Sequence, residues 1–242
     1  MRRLAALAAV ITSCGAPVMS VDGGAPPDVA DGGASFDAGL VLDGGAVIDA
    51  GPPLPDPWAD RVVRFTPGAG AGFGQDRFPQ VVLGPPEGGG ESSGSLDVLS
   101  LGRDGVIELE FTDLVAVDGP GVDLLVFENP FGTFFETGIV AVSDDGVDWR
   151  EFPCASGDVD GGSPGCAGTR VVFGNPSMGI SATDPSVAGG DGFDLAQVGL
   201  TRARFVRVKD SGANRFYGPP GGGFDLDAIA VVNGRLIDGG VP

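Results

Sequence analysis

The chain reads as an all-β protein: an antiparallel two-sheet β-sandwich of jelly-roll type, preceded by a disordered linker. Three observations predict this. Beyond Asp60, ten short apolar or alternating runs are separated by Gly, Pro, Asp and Asn, the punctuation of a strand-rich domain. No stretch of that region sustains a 3.6-residue period, the nearest being a turn or two over 194–200. Residues 15–60, in contrast, hold 9 Gly, 7 Pro and 8 Asp in 46 positions, with no Lys or Arg. Such a segment buries too little apolar area to offset its ordering entropy, and its like charges repel.

Candidate strands are 61–65, 80–83, 97–101, 106–111, 122–127, 139–143, 147–152, 170–173, 203–209 and 226–232. Alternation is plainest in Val106-Ile107-Glu108-Leu109-Glu110-Phe111 and in Phe205-Val206-Arg207-Val208-Lys209, which puts one face inward and the other toward water. An open sheet of ten strands would leave one apolar face uncovered, so two packed sheets are expected. Ser143-Asp144-Asp145-Gly146 reads as a tight turn between two strands, because Gly146 tolerates positive φ.

Composition also limits function. With 14 Lys and Arg, 33 Asp and Glu and no His, the formal charge is −19. A surface so acidic repels phosphate backbones, which argues against nucleic acid as a partner. Without imidazole there is no Ser-His-Asp or Cys-His catalysis of the usual kind and no His-bearing zinc site. Paired carboxylates remain as possible glycosidase machinery. With 25 of the 33 acidic residues beyond Asp60, however, some pair will meet any distance criterion, so that pattern has no specificity.

The amino terminus carries Arg2 and Arg3, an apolar run over 4–11, then Thr12 and Ser13 before Cys14. This is a signal-peptide layout, and the run is too short to span a bilayer, which takes about 20 residues. Ile11-Thr12-Ser13-Cys14 resembles the lipobox of bacterial lipoproteins. The resemblance implies a signal peptide over 1–13, diacylation of Cys14, a tether over 14–60 and a domain over 61–242, held to the membrane through the amino-terminal lipid. Gly15, in place of Asp after the cysteine, suits the outer membrane or cell surface by the same resemblance. Three cysteines in an exported chain are an odd count. If Cys14 bears lipid, Cys154 and Cys166 remain as a disulfide pair in an oxidising compartment, closing a thirteen-residue loop and stabilising by about 3 kcal/mol. The alternative for that pair, a metal site, lacks a His or a third Cys.

The turn over 143–146 with Trp149, the run over 105–111 and Ala203-Arg204-Phe205-Val206-Arg207-Val208 together resemble the discoidin-like branch of the galactose-binding-like superfamily. Phe224-Asp225-Leu226-Asp227-Ala228-Ile229 is similar to the closing strand of calcium-containing carbohydrate-binding modules of jelly-roll fold. The segments Phe127-Glu128-Asn129-Pro130-Phe131 and Gly189-Gly190-Asp191-Gly192-Phe193-Asp194-Leu195 resemble bacterial cell-surface proteins. These resemblances imply a carbohydrate or other extracellular ligand and a structural calcium ion. Asp227 is the implied calcium ligand. Asp191, Asp194 and Asp225 join it because both Gly-rich segments end in Phe-Asp-Leu, and calcium takes six to eight oxygens. The same aspartates suit a second role, capping turns through their own neighbours' amides. Glu128 and Asn129, at the mouth of an apolar strand, and Arg215 and Tyr217, in a Gly-rich loop, are the candidate ligand contacts. A glycoside-active enzyme and a purely structural envelope component stay open as alternatives.

Overall fold

Alternation in the sequence becomes a five-stranded sheet facing a layer of three small sheets across the main core. The computed structural model describes residues 54–215, 217 and 222–237. The leader, Cys14 and the linker up to residue 53 lie outside the described residues, as do Phe216 and residues 218–221. The first sheet has five antiparallel strands, β1 (Arg61–Thr66), β3 (Val106–Glu110), β10 (Phe205–Asp210), β6 (Gly138–Ser143) and β7 (Arg150–Glu151), in that spatial order. Opposite lie three small antiparallel sheets. These are β12 (Ala228–Val231), β5 (Leu124–Phe127) and β8 (Asp191–Phe193); β13 (Gly234–Leu236), β4 (Leu114–Val117) and β9 (Arg202–Ala203); and the pair β11 (Asp225–Leu226) and β2 (Leu99–Ser100). Every pairing is antiparallel.

The inward residues of both layers merge. Ile107, Leu109, Val140, Val142, Val206 and Val208 from the five-stranded sheet pack in one cluster with Leu124, Val126, Phe193, Ile229 and Val231. The second layer is covered on its outer side too. Leu125, Phe127, Ala228 and Ala230 pack against Trp58, Val172, Ala182 and Ala188. Burial on both faces is why β5 is an unbroken apolar run instead of an alternating one.

The outer face of the five-stranded sheet is polar and paired. Glu108 and Glu110 alternate with Ile107 and Leu109 and point away from the core. Glu108 takes the Arg207 guanidinium at 2.8 Å, and Glu110 takes both Arg204 at 2.8 Å and Arg61. Arg207 also sits 3.8 Å over the Trp149 ring, a cation–π contact that closes the half-buried indole against the sheet. The indole Nε1 donates to the Gly146 carbonyl at 3.2 Å, while the Ser143 hydroxyl accepts from the Gly146 amide at 3.0 Å and the Asp145 carboxylate from Val147 and Asp148. Gly146 takes the expected positive φ, 75°. Cys154 and Cys166 form the disulfide.

Several expected elements differ. Residues 80–83 do not form a strand: Gln80–Val82 is a single 3-10 turn, which lets adjacent Val81 and Val82 both enter the core where a strand would send them to opposite faces. Segment 170–173 joins no sheet beyond the isolated bridge Val172↔Gly189, and Val172 covers the back of β5 instead. The runs 97–101 and 147–152 contribute only the two-residue strands β2 and β7. The strands β4, β8 and β13 carry no extended alternating pattern, and Gly192 in the middle of β8 disguises it. The fold also begins earlier than residue 61: Trp58 bridges to Ala230, and the Val231 amide donates to the Pro57 carbonyl at 2.8 Å. Among the described residues no helix is long and apolar enough to cross a membrane.

Glu108 has one arginine and Glu110 has two, which sets an order of costs. Arg207→Ala should lower unfolding stability by about 2 kcal/mol, because it strips the single partner from a nearly buried carboxylate and uncovers Trp149. Arg61→Ala, which leaves Arg204 in place, should cost less than about 1 kcal/mol. Urea denaturation of the two variants checks the order.

Candidate metal centre and ligand cleft

Three acidic side chains converge where β5, β6 and β11 end or begin. Glu128 directly follows the fully buried Phe127 of β5, Glu136 lies two residues before β6, and Asp225 opens β11. A close backbone approach helps set Glu136. Gly168, at φ 84°, passes so near that a Cβ there would sit 1.8 Å from the Glu136 carbonyl oxygen, so only glycine fits. Carboxylate oxygens of Glu128, Glu136 and Asp225 all lie within 4.8 Å of one another, a cluster that could hold a metal ion.

The electrostatics are unusual because positive charge is missing. Glu128 is 1 % exposed and Glu136 2 % exposed, and among the described residues neither they nor Asp225 pairs with Lys or Arg. Among the described residues neither carboxylate oxygen of Glu128 has a hydrogen bond of regular geometry, the Asn129 and Asp225 amides being the nearest donors, and Asp225 Oδ1 is likewise sealed and unpartnered. Glu136 Oε1 accepts only the Gly223 amide, at 3.1 Å. Two full charges 4.8 Å apart repel by about 3.5 kcal/mol at an effective dielectric of 20. Three such charges cannot coexist there without a countercharge or a proton. Burial, followed by the neighbouring charges of Asp225 and Glu136, accordingly pushes Glu128 well above the usual carboxylate range. Burial and then Asp225 push Glu136 up to about 9. Burial and then Asp210 raise Asp225 to about 6.

Asp210, the last residue of β10, is fully buried beside them but is well satisfied. Its oxygens accept from the amides of Asp104, Gly212 and Phe224, the Asn214 side chain and the Tyr217 hydroxyl, at 2.7–3.1 Å. A second acidic group, Asp118, Asp123 and Asp194, meets the same distance limit. Its one buried member, Asp123, is satisfied by the Gly119 and Leu195 amides and the Asn233 side chain at 2.8–2.9 Å.

The four aspartates named from the sequence do not gather at one point. Asp225 belongs with Glu128 and Glu136, Asp194 with Asp118 and Asp123, and Asp191 and Asp227 with neither group. Asp194 alone of these caps its own turn, while Asp191 and Asp227 accept from segments distant in sequence. Asp194 caps the 3-10 turn Leu195–Val198 through the Ala196 amide at 2.9 Å. Asp191 accepts from the Gly168 and Thr169 amides and the Thr169 hydroxyl at 2.6–3.0 Å. Asp227 accepts from the Glu87 amide at 3.2 Å. Of the four ligand candidates, Glu128 is in the buried cluster. Asn129 donates from its side chain to the Ser95 carbonyl, and Tyr217 donates to Asp210 while Arg103 lies 4.3 Å over its ring. Arg215 alone of the four faces a cleft.

That cleft, about 330 Å³, lies between the loops before β6 and after β10 and the disulfide loop. Thr133, Phe135 and Thr137 form one wall, Ala213, Asn214 and Arg215 another, and Ser156, Val159, Gly162 and Ser163 the rim. Among the described residues no acidic side chain lines it, although Asp158 and Asp160 stand in the same rim loop. Asn214 ties two walls together: its Oδ1 accepts from the Thr137 amide at 2.6 Å, and its side-chain amide donates to the Thr137 carbonyl and to Asp210.

Raised carboxyl pKa values give a definite pH dependence. A carboxyl whose folded-state pKa exceeds its unfolded one stabilises fully below the unfolded value, and that contribution disappears as pH rises through the folded value. With Asp227 at about 8, held up by burial, and Glu136 at about 9, the melting temperature in the presence of chelator should fall steadily from pH 5 to pH 9. Asp227→Asn should flatten the part of that fall below pH 8. A melting profile independent of pH over this range would contradict the burial of these groups.

No protein-family model matches this chain, and no curated protein matches it either.

Proposed function

We propose that the chain is a lipid-anchored protein of a bacterial cell envelope whose β-sandwich binds an extracellular carbohydrate in the cleft between Phe135 and Arg215 and carries a structural calcium ion. The composition of the cleft is the observation that carries this reading. In a chain of net charge −19, a cleft that no carboxylate lines among the described residues is a marked local departure. It offers the hydroxyls of Thr133 and Ser163, the Arg215 guanidinium and the half-exposed face of Phe135, on walls held by the Asn214–Thr137 hydrogen bonds. Flat apolar surface beside a few fixed polar groups is what recognition of a sugar ring requires.

The anchoring part rests on Ile11-Thr12-Ser13-Cys14 at the end of the apolar leader. The Cys154–Cys166 disulfide supports it, because it leaves Cys14 as the odd cysteine free for acylation. The glycosidase alternative needs a carboxyl pair on the cleft wall. Glu136 falls between two lining residues, but its own side chain is buried on the other side of the loop.

Two measurements test the reading. The full chain expressed in a bacterial host should partition into the detergent phase of a Triton X-114 separation, and Cys14→Ser should move it to the aqueous phase. On a glycan array the wild type should bind a saccharide class that Arg215→Ala binds at least tenfold more weakly. A wild type that stays aqueous refutes the anchor. A blank array, or binding untouched by Arg215→Ala, refutes the ligand cleft.

A further inference from the structure

We propose that Glu128, Glu136 and Asp225 form a buried calcium site, and that the ion fastens the two loops that build the cleft. The inference rests on the calcium part of the reading above and is independent of the glycan part. Two observations carry it, and they differ in kind. The first is spacing. Carboxylate oxygens from three separate segments lie within 4.8 Å of one another, no more than the span across a calcium ion with bonds of about 2.4 Å on either side. The second is an unmet need. Glu128 is 1 % exposed, and among the described residues neither of its oxygens, nor Asp225 Oδ1, has a hydrogen bond of regular geometry, the nearest donors to Glu128 being the Asn129 and Asp225 amides. Buried polar atoms in a folded protein are nearly always partnered, so a sealed carboxylate with no regular hydrogen bond and no cationic side chain points to an ion as its partner.

The donor set selects the metal. All three ligands are hard oxygens with neither imidazole nor thiolate, which suits calcium or magnesium and not zinc or copper. Three glutamate and aspartate side chains on loop and strand ends form an irregular cage. Calcium tolerates such geometry, whereas magnesium demands a near-ideal octahedron and keeps several waters. The second acidic group offers a contrast within the same fold. Asp123 there has its hydrogen bonds filled by amides and Asn233, so nothing at that group calls for an ion.

The position of the site gives the ion a second effect. Glu136 sits between the cleft residues Phe135 and Thr137 and accepts the Gly223 amide. Asp225 ends the segment that begins with Asp210 and carries Asn214 and Arg215. An ion shared by the three carboxylates therefore joins both walls of the cleft from behind.

Calorimetric titration of the metal-stripped full chain with calcium chloride tests the site. One calcium should bind per chain, and the melting temperature should rise by about 5–10 °C at one hundred times the Kd. Glu128→Gln and Asp225→Asn should each weaken calcium binding about 100-fold or more, while Asp118→Asn should leave it unchanged. If the glutamine variant does not fold, the anomalous signal of a europium-soaked wild-type crystal locates the ion. Absence of stoichiometric binding overturns both this site and the structural-calcium part of the proposed function. Stoichiometric binding that survives both substitutions, or a europium peak away from the three carboxylates, overturns this site alone.

Discussion

Acidic charge drawn into an all-β interior, with few cations available to meet it, is the constraint around which much of this molecule is arranged. The fold meets it in three ways. On the outside of the five-stranded sheet, Glu108 and Glu110 are met by arginines on the flanking strands and the neighbouring loop. At the ends of the sandwich, Asp123, Asp191 and Asp210 are met by backbone amides, held in place by glycine-rich turns that bring the chain close. Glu128 has neither a guanidinium nor a regular hydrogen bond. Amides or a guanidinium meet the oxygens of a buried acid directly, whereas a buried acid without such partners calls for a countercharge or a proton. That contrast inside a single domain separates structural acids from a candidate site better than acidity alone.

The buried acids and the cleft share a backbone. Asn214 bonds Thr137 on one wall and Asp210 in the interior, and Tyr217 bonds Asp210 from the same loop. The acidic interior and the cleft wall thus belong to one hydrogen-bonded network. The disulfide closes the third side, so the rim loop, rich in Gly, Asp and Ser, is tied down without a core of its own.

Much of the architecture was legible because strand periodicity is a local signal. Val106 to Phe111 and Phe205 to Lys209 state in sequence which residues face the core, and β3 and β10 obey them. The 3-10 turn over Gln80–Val82 was not legible, since two adjacent valines look extended until the three-dimensional core claims both. The candidate site was legible only in part. Glu128 stood out at the end of an apolar run, and Asp225 in a repeated motif, but their partner Glu136 follows Phe134 and Phe135 in a segment with no period. One signal was present and not used: Asp210 falls in phase with Val206 and Val208, an acid at an inward position of an alternating strand. The aspartates of the Gly-rich repeats misled in the other direction, since a shared local motif fixes turn geometry and says nothing about which distant residues the turn will meet.

The first residues of the fold have a mechanical meaning. The chain enters through Pro57 and Trp58, gripped by the Val231 amide and by the apolar back of the second layer, before it reaches β1. Tension arriving from the amino-terminal side thus meets the Asp56 amide's hydrogen bond to Asp113 first, and then an aromatic plug and one backbone bond at the edge of β12. These few contacts, made before β1 begins, are the grip by which the sandwich holds its incoming chain.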